Sequence, residues 1–561
     1  MAYNFYDLEY TPTDYKELKI KIIELTKEAE KATSVDILDN VLVSYDKALE
    51  ETGYNYTLAY IHSSLDSSLP FWQEAIQKES EGRAMLETAP LLKAIMENKN
   101  YPSLVEKYGP ALTDNLKKSI STSLKAQKER AEEEKLVSAY QREKAMVRVQ
   151  YMGEEKSEGE VISFFDNKDR KIRVDSRKAV AEAFLNKKKE LGEMLEKLVA
   201  LRDRIAKENG FPSYLEYMDI NYSRLGYGEK EMDAFVSDIK KYVVPILSEI
   251  TEEKRKRLGL DKMTSIDLGL TFIDGNAKPA GGSEVLKKAA MDMYQDLSPE
   301  MGDFFLGMIE SNSINVDFSP NKVSGMGYCI DLKKGMYPFV FGNLDGTEWD
   351  VAVFTHEVGH AWQSFISDKY IDLSILREMP LDAVEIPSKT MELFSYPYAE
   401  AFFGKDADKF RYAHFRNAVK EIVSYTSVHE LNSWIYTHVG ASFDEINAKW
   451  IEIQKEYYPN VDDGEMEEEN QKGAGLLRNM GVYMFPRYLI SYVFSEMCAI
   501  DLFTLFCSDK KKAIESYNAL CRTGGRKSYP EILSKGGLEP AYREGRVKEV
   551  MEKVKEYLKE H

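Results

Sequence analysis

Cysteine is scarce and unpatterned. The 561-residue chain has four, Cys329, Cys498, Cys507 and Cys521, with no CxxC pair. That excludes a disulfide framework and points to reduced thiols in a cytoplasmic protein. Long hydrophobic runs are also missing. No apolar run approaches the roughly 18 residues of a membrane span, so no transmembrane helix is expected. The opening "MAYNFYDLEYTPTDYKEL" has no basic segment leading into an apolar one, so no signal peptide is expected either. Basic charge is in deficit, 75 Lys and Arg against 94 Asp and Glu, for a formal net charge of −19. Such a chain does not suit nucleic acid or anionic membrane surfaces as partners. Histidine is rare as well, seven in all, yet two stand four residues apart in "FTHEVGHAWQSF".

What is present reads mostly as helix. "TDYKELKIKIIELTKEAEKA" carries apolar residues at helical spacing, with Thr13 as its N-cap. Helical segments run from 33 to 148, broken at Gly53, Pro70, Pro102 and Pro110. Near 147–175 the pattern alternates in "VRVQYMGEEKSEGEVISFF" and "DRKIRVDS", which predicts a small β-hairpin. One long helix ending at Gly210 follows. The least helical part is 313–347, where short β-like runs lie among glycines; beyond it the chain reads as helical to the end.

"TEWDVAVFTHEVGHAWQSFIS" opens with a capping-box-like pair, Thr347 and Asp350. Val351, Phe354, Val358, Ala361, Trp362 and Phe365 form a core stripe at helical period, and His356 and His360 share a neighbouring face. Two imidazoles one turn apart suit two ligands of one tetrahedral zinc ion, with Glu357 turned to act on water beside it. A third protein ligand is needed. Gln363 and Ile366 stand where the metzincin pattern needs glycine and histidine, which excludes that class. A downstream glutamate is then expected, and Glu378, Glu385 and Glu392 all qualify.

"PFVFGNLDGTEWDVAVFTHEVGHAWQ", "VEIPSKTMELF" and "YLISYVFSEMCAIDLF" resemble, in order, the strand and zinc helix, the third-ligand segment and the C-terminal tyrosine segment of the M3 oligopeptidases, above all their oligoendopeptidase F-like branch. The resemblance covers roughly residues 140–550 and is weaker before that. It implies a mostly α-helical, two-lobed molecule with a small β-sheet beside a deep substrate channel. Residues 1–170, hairpin included, would form part of the channel wall, and 171–561 the catalytic region. It implies one Zn²⁺ per chain held by His356, His360 and Glu385, with Glu357 as general base. The family's tyrosine pair falls on Tyr488 and Tyr492, which would stabilise the developing oxyanion. Glu392, seven residues after Glu385, could accept a hydrogen bond from a ligand histidine.

The resemblance also points to substrate contacts. "SGMGYC" resembles the family's glycine-containing substrate loop, which marks Gly325, Gly327 and Tyr328. "YPFVFGN", with Phe341, Gly342 and Asn343, reads as an edge strand able to pair with an extended peptide. Two positions depart from the family: Gly481 replaces a histidine and Arg487 an aromatic residue. Arg487, Tyr483 or His429 would have to compensate for the missing imidazole.

The reading that follows is a zinc oligoendopeptidase acting on short unfolded peptides through water on the metal. A carboxypeptidase of the same family would need a basic residue for the substrate's C-terminal carboxylate, and Arg487 is its candidate. A peptide-binding protein without turnover has only Gly481 in its favour.

Overall fold

Most of the chain is helical because apolar residues recur at helical spacing between polar caps. The computed structural model describes residues 3–124, 126–224, 227–323, 327–344 and 346–560. The first long helix, Tyr15–Lys31, is capped by Asp14, whose carboxylate accepts from the Lys16 and Glu17 amides; Thr13 lies one residue outside. The next, Val35–Leu65, starts at Ser34, whose hydroxyl accepts from Ile37 N–H. These N-terminal helices share a core of their own, including Leu38, Leu42, Leu92 and Leu104, closed by Ile371, Leu373 and Leu376 from far along the chain.

The hairpin is smaller than its sequence pattern suggests. Strand β1 (Arg148–Tyr151) pairs antiparallel with β2 (Glu154–Ser157). Met152 and Gly153 between them both have positive φ, 54° and 80°, as a tight two-residue hairpin turn requires. Ser157 then forms a capping box with Glu160 and starts a helix. "DRKIRVDS" is not a strand: Asp169 accepts from Lys171 N–H and caps the helix Arg170–Leu185. The cap decides where an alternating pattern is ambiguous. The predicted single long helix is two, Arg170–Leu185 and Lys188–Glu208. Residues of the hairpin and of both helices, among them Val149, Val180 and Leu195, enter the large core that also holds the C-terminal helices.

Three short strands form the second sheet, in the order β3 (Ile314–Asn315), β5 (Phe339–Phe341), β4 (Tyr328–Ile330). β5 is parallel to β3 and antiparallel to β4. It is therefore central, and the expectation of an edge strand at 337–343 is corrected. Phe339, Val340 and Phe341 are all fully buried, as an interior strand requires. The edges belong to β3 and β4.

One helix among the described residues, Ile490–Ser508, is long and apolar enough to cross a membrane by length and composition, although Glu496 and Asp501 interrupt it. Here 78% of its apolar window is buried inside the protein, as in a core helix.

Candidate active site

The motif helix spans Trp349–Asp368. No side chain caps it at Glu348; Asp350 instead accepts from Gly346 N–H at 2.7 Å, so the anticipated Thr347–Asp350 box is replaced by a link one residue earlier. Of the expected stripe, Val351, Phe354, Val358, Ala361 and Trp362 are buried and Phe365 is half-buried. Trp362 Nε1 donates to Asn518 at 2.9 Å and fixes the helix against its neighbour. With that face held, His356 and His360 project from the adjacent, partly open face, ring centroids 4.9 Å apart.

Opposite them lies the segment Leu381–Phe394. Glu385 sits at the junction of two helices, Leu381–Val384 and Ile386–Phe394, where Pro387 fits the first turn of the second. Gly359, inside the HExxH motif, lets this segment approach. A β-carbon there would lie 2.7 Å from the Pro387 carbonyl oxygen and 2.8 Å from Ser388 Cα.

The approach brings one Glu385 oxygen to 3.1 Å from His356 Nε2 and 3.1 Å from His360 Nε2. All three donor atoms lie within 4.8 Å of one another. Ligands at about 2.0–2.1 Å from one tetrahedral zinc ion are about 3.4 Å apart, so this donor set fits such an ion. It is the one such group among the described residues. Glu378 is not part of it and lines two nearby clefts. Ser388 Oγ donates to Glu385 at 2.8 Å and orients it.

Glu392 stands behind His356, its Oε1 2.6 Å from Nδ1. His414 Nε2 is 2.9 Å from its other oxygen, and Lys389 Nζ lies 3.4 Å away. Burial alone would raise the Glu392 pKa; the Lys389 charge and the two imidazoles outweigh it and hold the carboxyl well below its usual range. Lys389 also reaches Glu421 at 3.0 Å and Glu496 at 3.5 Å. Glu496, mainly through burial, is pushed up to about 7. Sequence reasoning missed Gly359, Ser388, Lys389, His414, Glu421 and Glu496. One signal was available: Glu385, Ser388, Lys389 and Glu392 form a polar stripe at helical spacing in a segment otherwise apolar but for Thr390 and buried throughout.

Glu357 is buried beside the histidines and accepts a hydrogen bond from the Cys329 amide of β4. Burial raises its pKa, and the neighbouring imidazoles oppose that rise. Gly327 lets β4 pass the motif helix so closely: a β-carbon there would meet Val353 Cγ1 at 2.4 Å.

Tyr488 and Tyr492 lie together, ring centroids 5.8 Å apart. Burial, followed by the Glu385 charge, pushes Tyr488 up to about 12 and raises Tyr492 further. Both phenols thus stay protonated donors facing the Glu385 side of the site.

The substrate-contact candidates fare differently. Gly325 lies outside the described residues. Tyr328 stacks on Phe341 at 4.8 Å and touches Tyr60 of the helix Val35–Leu65, so both rings join the sheet to the N-terminal helices. Asn343 is spent on Ser319, bonding its amide and its carbonyl. Lys322 donates to Gly342 O at 2.8 Å. These residues shape the sheet; their side chains do not line the metal site.

Of the compensating residues, Arg487 is fully buried and committed to Asp219 at 2.9 Å and Glu229 at 2.5 Å. Tyr483 stacks on Tyr140 at 4.0 Å and donates to Leu191 O. His429 keeps an unpartnered buried Nδ1, and burial drives its pKa well below the ordinary histidine value. At Gly481 a β-carbon would come 2.8 Å from a Leu489 methyl and 3.0 Å from a Val428 methyl, so a side chain there would have to displace both.

A helical chain with two histidines of HExxH, a downstream glutamate and an adjacent acid is a metallopeptidase. The model of Peptidase family M3 matches residues 300–559, and that of the Peptidase M3 N-terminal domain residues 5–123, together more than half of the chain. The chain belongs to peptidase family M3, on its oligoendopeptidase F-like side. Solved structures resemble it along its whole length. PZ peptidase A with an inhibitor shares 25% identity at a TM-score of 0.93, covering 100% of this chain and 99% of that one. A protein assigned as oligoendopeptidase F shares 26% at 0.92, and another, from Bacillus anthracis str. Ames, 26% at 0.87, with the same coverage. No curated protein matches the chain in sequence.

Proposed function

We propose that the protein is a zinc-dependent oligoendopeptidase that cleaves internal bonds of short unfolded peptides. One observation carries this: His356, His360 and Glu385 converge on a single point with Glu357 on one side and the tyrosine pair beside Glu385. Bound there, Zn²⁺ would polarise the scissile carbonyl and make water more acidic. Glu357, its carboxylate fixed by the Cys329 amide, takes the proton from the attacking water and returns it to the leaving amine. Tyr488 and Tyr492 donate to the oxyanion as it forms. Glu392 holds His356 by its Nδ1 and fixes the ring's orientation.

Two clefts of about 280 Å³ each share Glu378 in their walls: one is lined by Tyr222 and by Val384, next to the ligand Glu385, the other by Asp331 and by Ser364 of the motif helix. A peptide in extended form would meet the edge of β4 beside Glu357.

The carboxypeptidase reading loses its anchor, because Arg487 is engaged by two acids and fully buried. We place the protein in the cytoplasm, a reading supported by four unpaired cysteines. The test is an end-blocked, internally quenched peptide of about ten residues, about 33 Å long when extended at about 3.3 Å per residue. Internal cleavage that disappears on chelation and in Glu357→Gln supports the reading. Release of single C-terminal residues from unblocked peptides only would replace it.

A further inference from the structure

Away from the zinc site the helix Val244–Arg257 faces the helix Ala407–Thr437 across a partly enclosed cavity of about 160 Å³. Its wall holds three cations, Lys254, Arg416 and Lys420, in a chain with an acidic excess of nineteen charges. Lys389 and Arg487, buried elsewhere in the protein, meet carboxylates. Here only Arg416 does, and Lys254 and Lys420 are half-buried. Arg416 is 7% exposed and its Nε has no partner. Its guanidinium rests on the Tyr412 ring at 3.4 Å, donates to the Tyr412 carbonyl at 3.5 Å and pairs with the exposed Glu253 at 3.5 Å. Lys254 donates to the Leu268 carbonyl, and Lys420 makes no ion pair among the described residues.

Burial, and next the Lys420 charge, push Lys254 down to about 8, the opposite of what a paired lysine shows. Two acids also line the cavity. Asp166 sits against Gly269, and Glu348 accepts from Asn276, leaving its other oxygen buried without a partner. Burial pushes Glu348 up to about 7, so much of it is neutral and able to donate near neutral pH. The remaining wall is apolar and aromatic, with Ile250, Phe410 and Tyr458. A cavity of this size accepts a body close to one benzene ring.

We propose that this cavity binds a small carboxylate carrying an aromatic or branched apolar group. The carboxylate would lie among Lys254, Arg416 and Lys420, and the apolar body against Phe410 and Tyr458. Charge-assisted hydrogen bonds to Lys254 and Lys420, neither held by a carboxylate, and to the Arg416 Nε supply the affinity, and the lining excludes ions without an apolar body. The site is separate from the metal centre, although His414 borders both: it lines this cavity and contacts Glu392. Two sources carry the chemistry, a free organic acid and an amino acid or peptide product.

Calorimetric titration of the zinc-loaded protein with 3-phenylpropionate tests the proposal without turnover, so its outcome is independent of the peptidase reading. The expected result is saturable binding of one molecule per chain, unchanged by excess peptide in Glu357→Gln. Lys420→Met should weaken it about tenfold or more, with peptidase activity intact. Ala413→Phe, which fills the cavity from its wall, should abolish it. 3-Phenylpropanol and inorganic phosphate should each bind far more weakly. Phenylalanine binding more tightly than 3-phenylpropionate assigns the amino-acid source, and weaker binding the organic acid. Absence of binding, displacement by peptide, or indifference to both variants would overturn the site. Phosphate binding as tight as that of 3-phenylpropionate would overturn its ligand class.

Discussion

Gly359 is the position at which packing and metal chemistry depend most directly on each other. Gly359→Ala places a methyl group 2.7 Å from the Pro387 carbonyl oxygen, 2.8 Å from Ser388 Cα and 3.1 Å from Met391 Cβ. Carbon atoms prefer about 3.5–4.0 Å, and two of the three neighbours are backbone, so the helices must part by several tenths of an ångström. Overpacking of this kind costs about 1–3 kcal/mol. Replacing a mid-helix glycine returns about 1 kcal/mol of helix propensity. Global stability therefore falls by only about 0–2 kcal/mol.

The metal site has less room for adjustment. Glu385 precedes Pro387 by two residues and moves with it, whereas ligand distances tolerate only about 0.2 Å. Zinc affinity should fall tenfold or more, a loss of at least about 1.4 kcal/mol. The assay is competition for zinc against a chromophoric chelator, with thermal unfolding of the metal-free protein alongside. Unchanged zinc affinity in a variant that folds normally would refute the argument that this contact sets the ligand geometry.

Glu357→Gln should lower kcat by about 10²–10⁴ and leave the zinc stoichiometry at one, measured by metal analysis. Glu392→Ala should cost about 10–100-fold in zinc affinity through loss of the 2.6 Å contact to His356. Tyr492→Phe should reduce kcat by about 10²–10³ with little change in KM, because the phenol serves the oxyanion and not the ground state. Glu496 gives a pH signature. Its carboxyl is raised from 4.5 to about 7 when folded. Between those values the folded protein holds the extra proton, so stability falls as pH rises through the window, by about 1.4 kcal/mol per unit of separation. Glu496→Gln should flatten that slope in urea unfolding at pH 5 and pH 8; an unchanged slope would assign it to other groups.

The metal-ligand pair was legible because two histidines four apart have few arrangements open to them on a helix. The third ligand was legible only through the resemblance of its segment to the family's, since Glu378, Glu385 and Glu392 are not told apart by spacing. The structure separates them by a backbone junction at Glu385 and by Gly359, which no periodicity reports. The hairpin was visible in its first half, where alternation and a Met-Gly turn agree. It was misread in its second half, where the Asp169 cap overrides alternation. The β5 strand showed its three consecutive apolar residues, but an all-apolar strand marks a centre and not an edge.

The departures at Gly481 and Arg487 belong together. Arg487 has a φ of 63°, and its guanidinium ties Asp219 and Glu229 beneath the tyrosine segment, while its carbonyl accepts from Arg224 at 2.8 Å. Arg224 in turn holds Asp382, three residues before Glu385. The segment carrying Tyr488 is thus fastened to the segment carrying the third ligand by buried ion pairs. Asp219 and Glu229 are 16% and 38% exposed, so losing Arg487 costs less than the about 3–5 kcal/mol of a fully buried pair, and Arg487→Phe, which brings back an aromatic residue at this position, should destabilise the fold and not restore catalysis. Loss of zinc-loaded activity in parallel with the urea midpoint would fit that account. An active, normally stable Arg487→Phe would mean that the tyrosine pair is positioned by something other than this network.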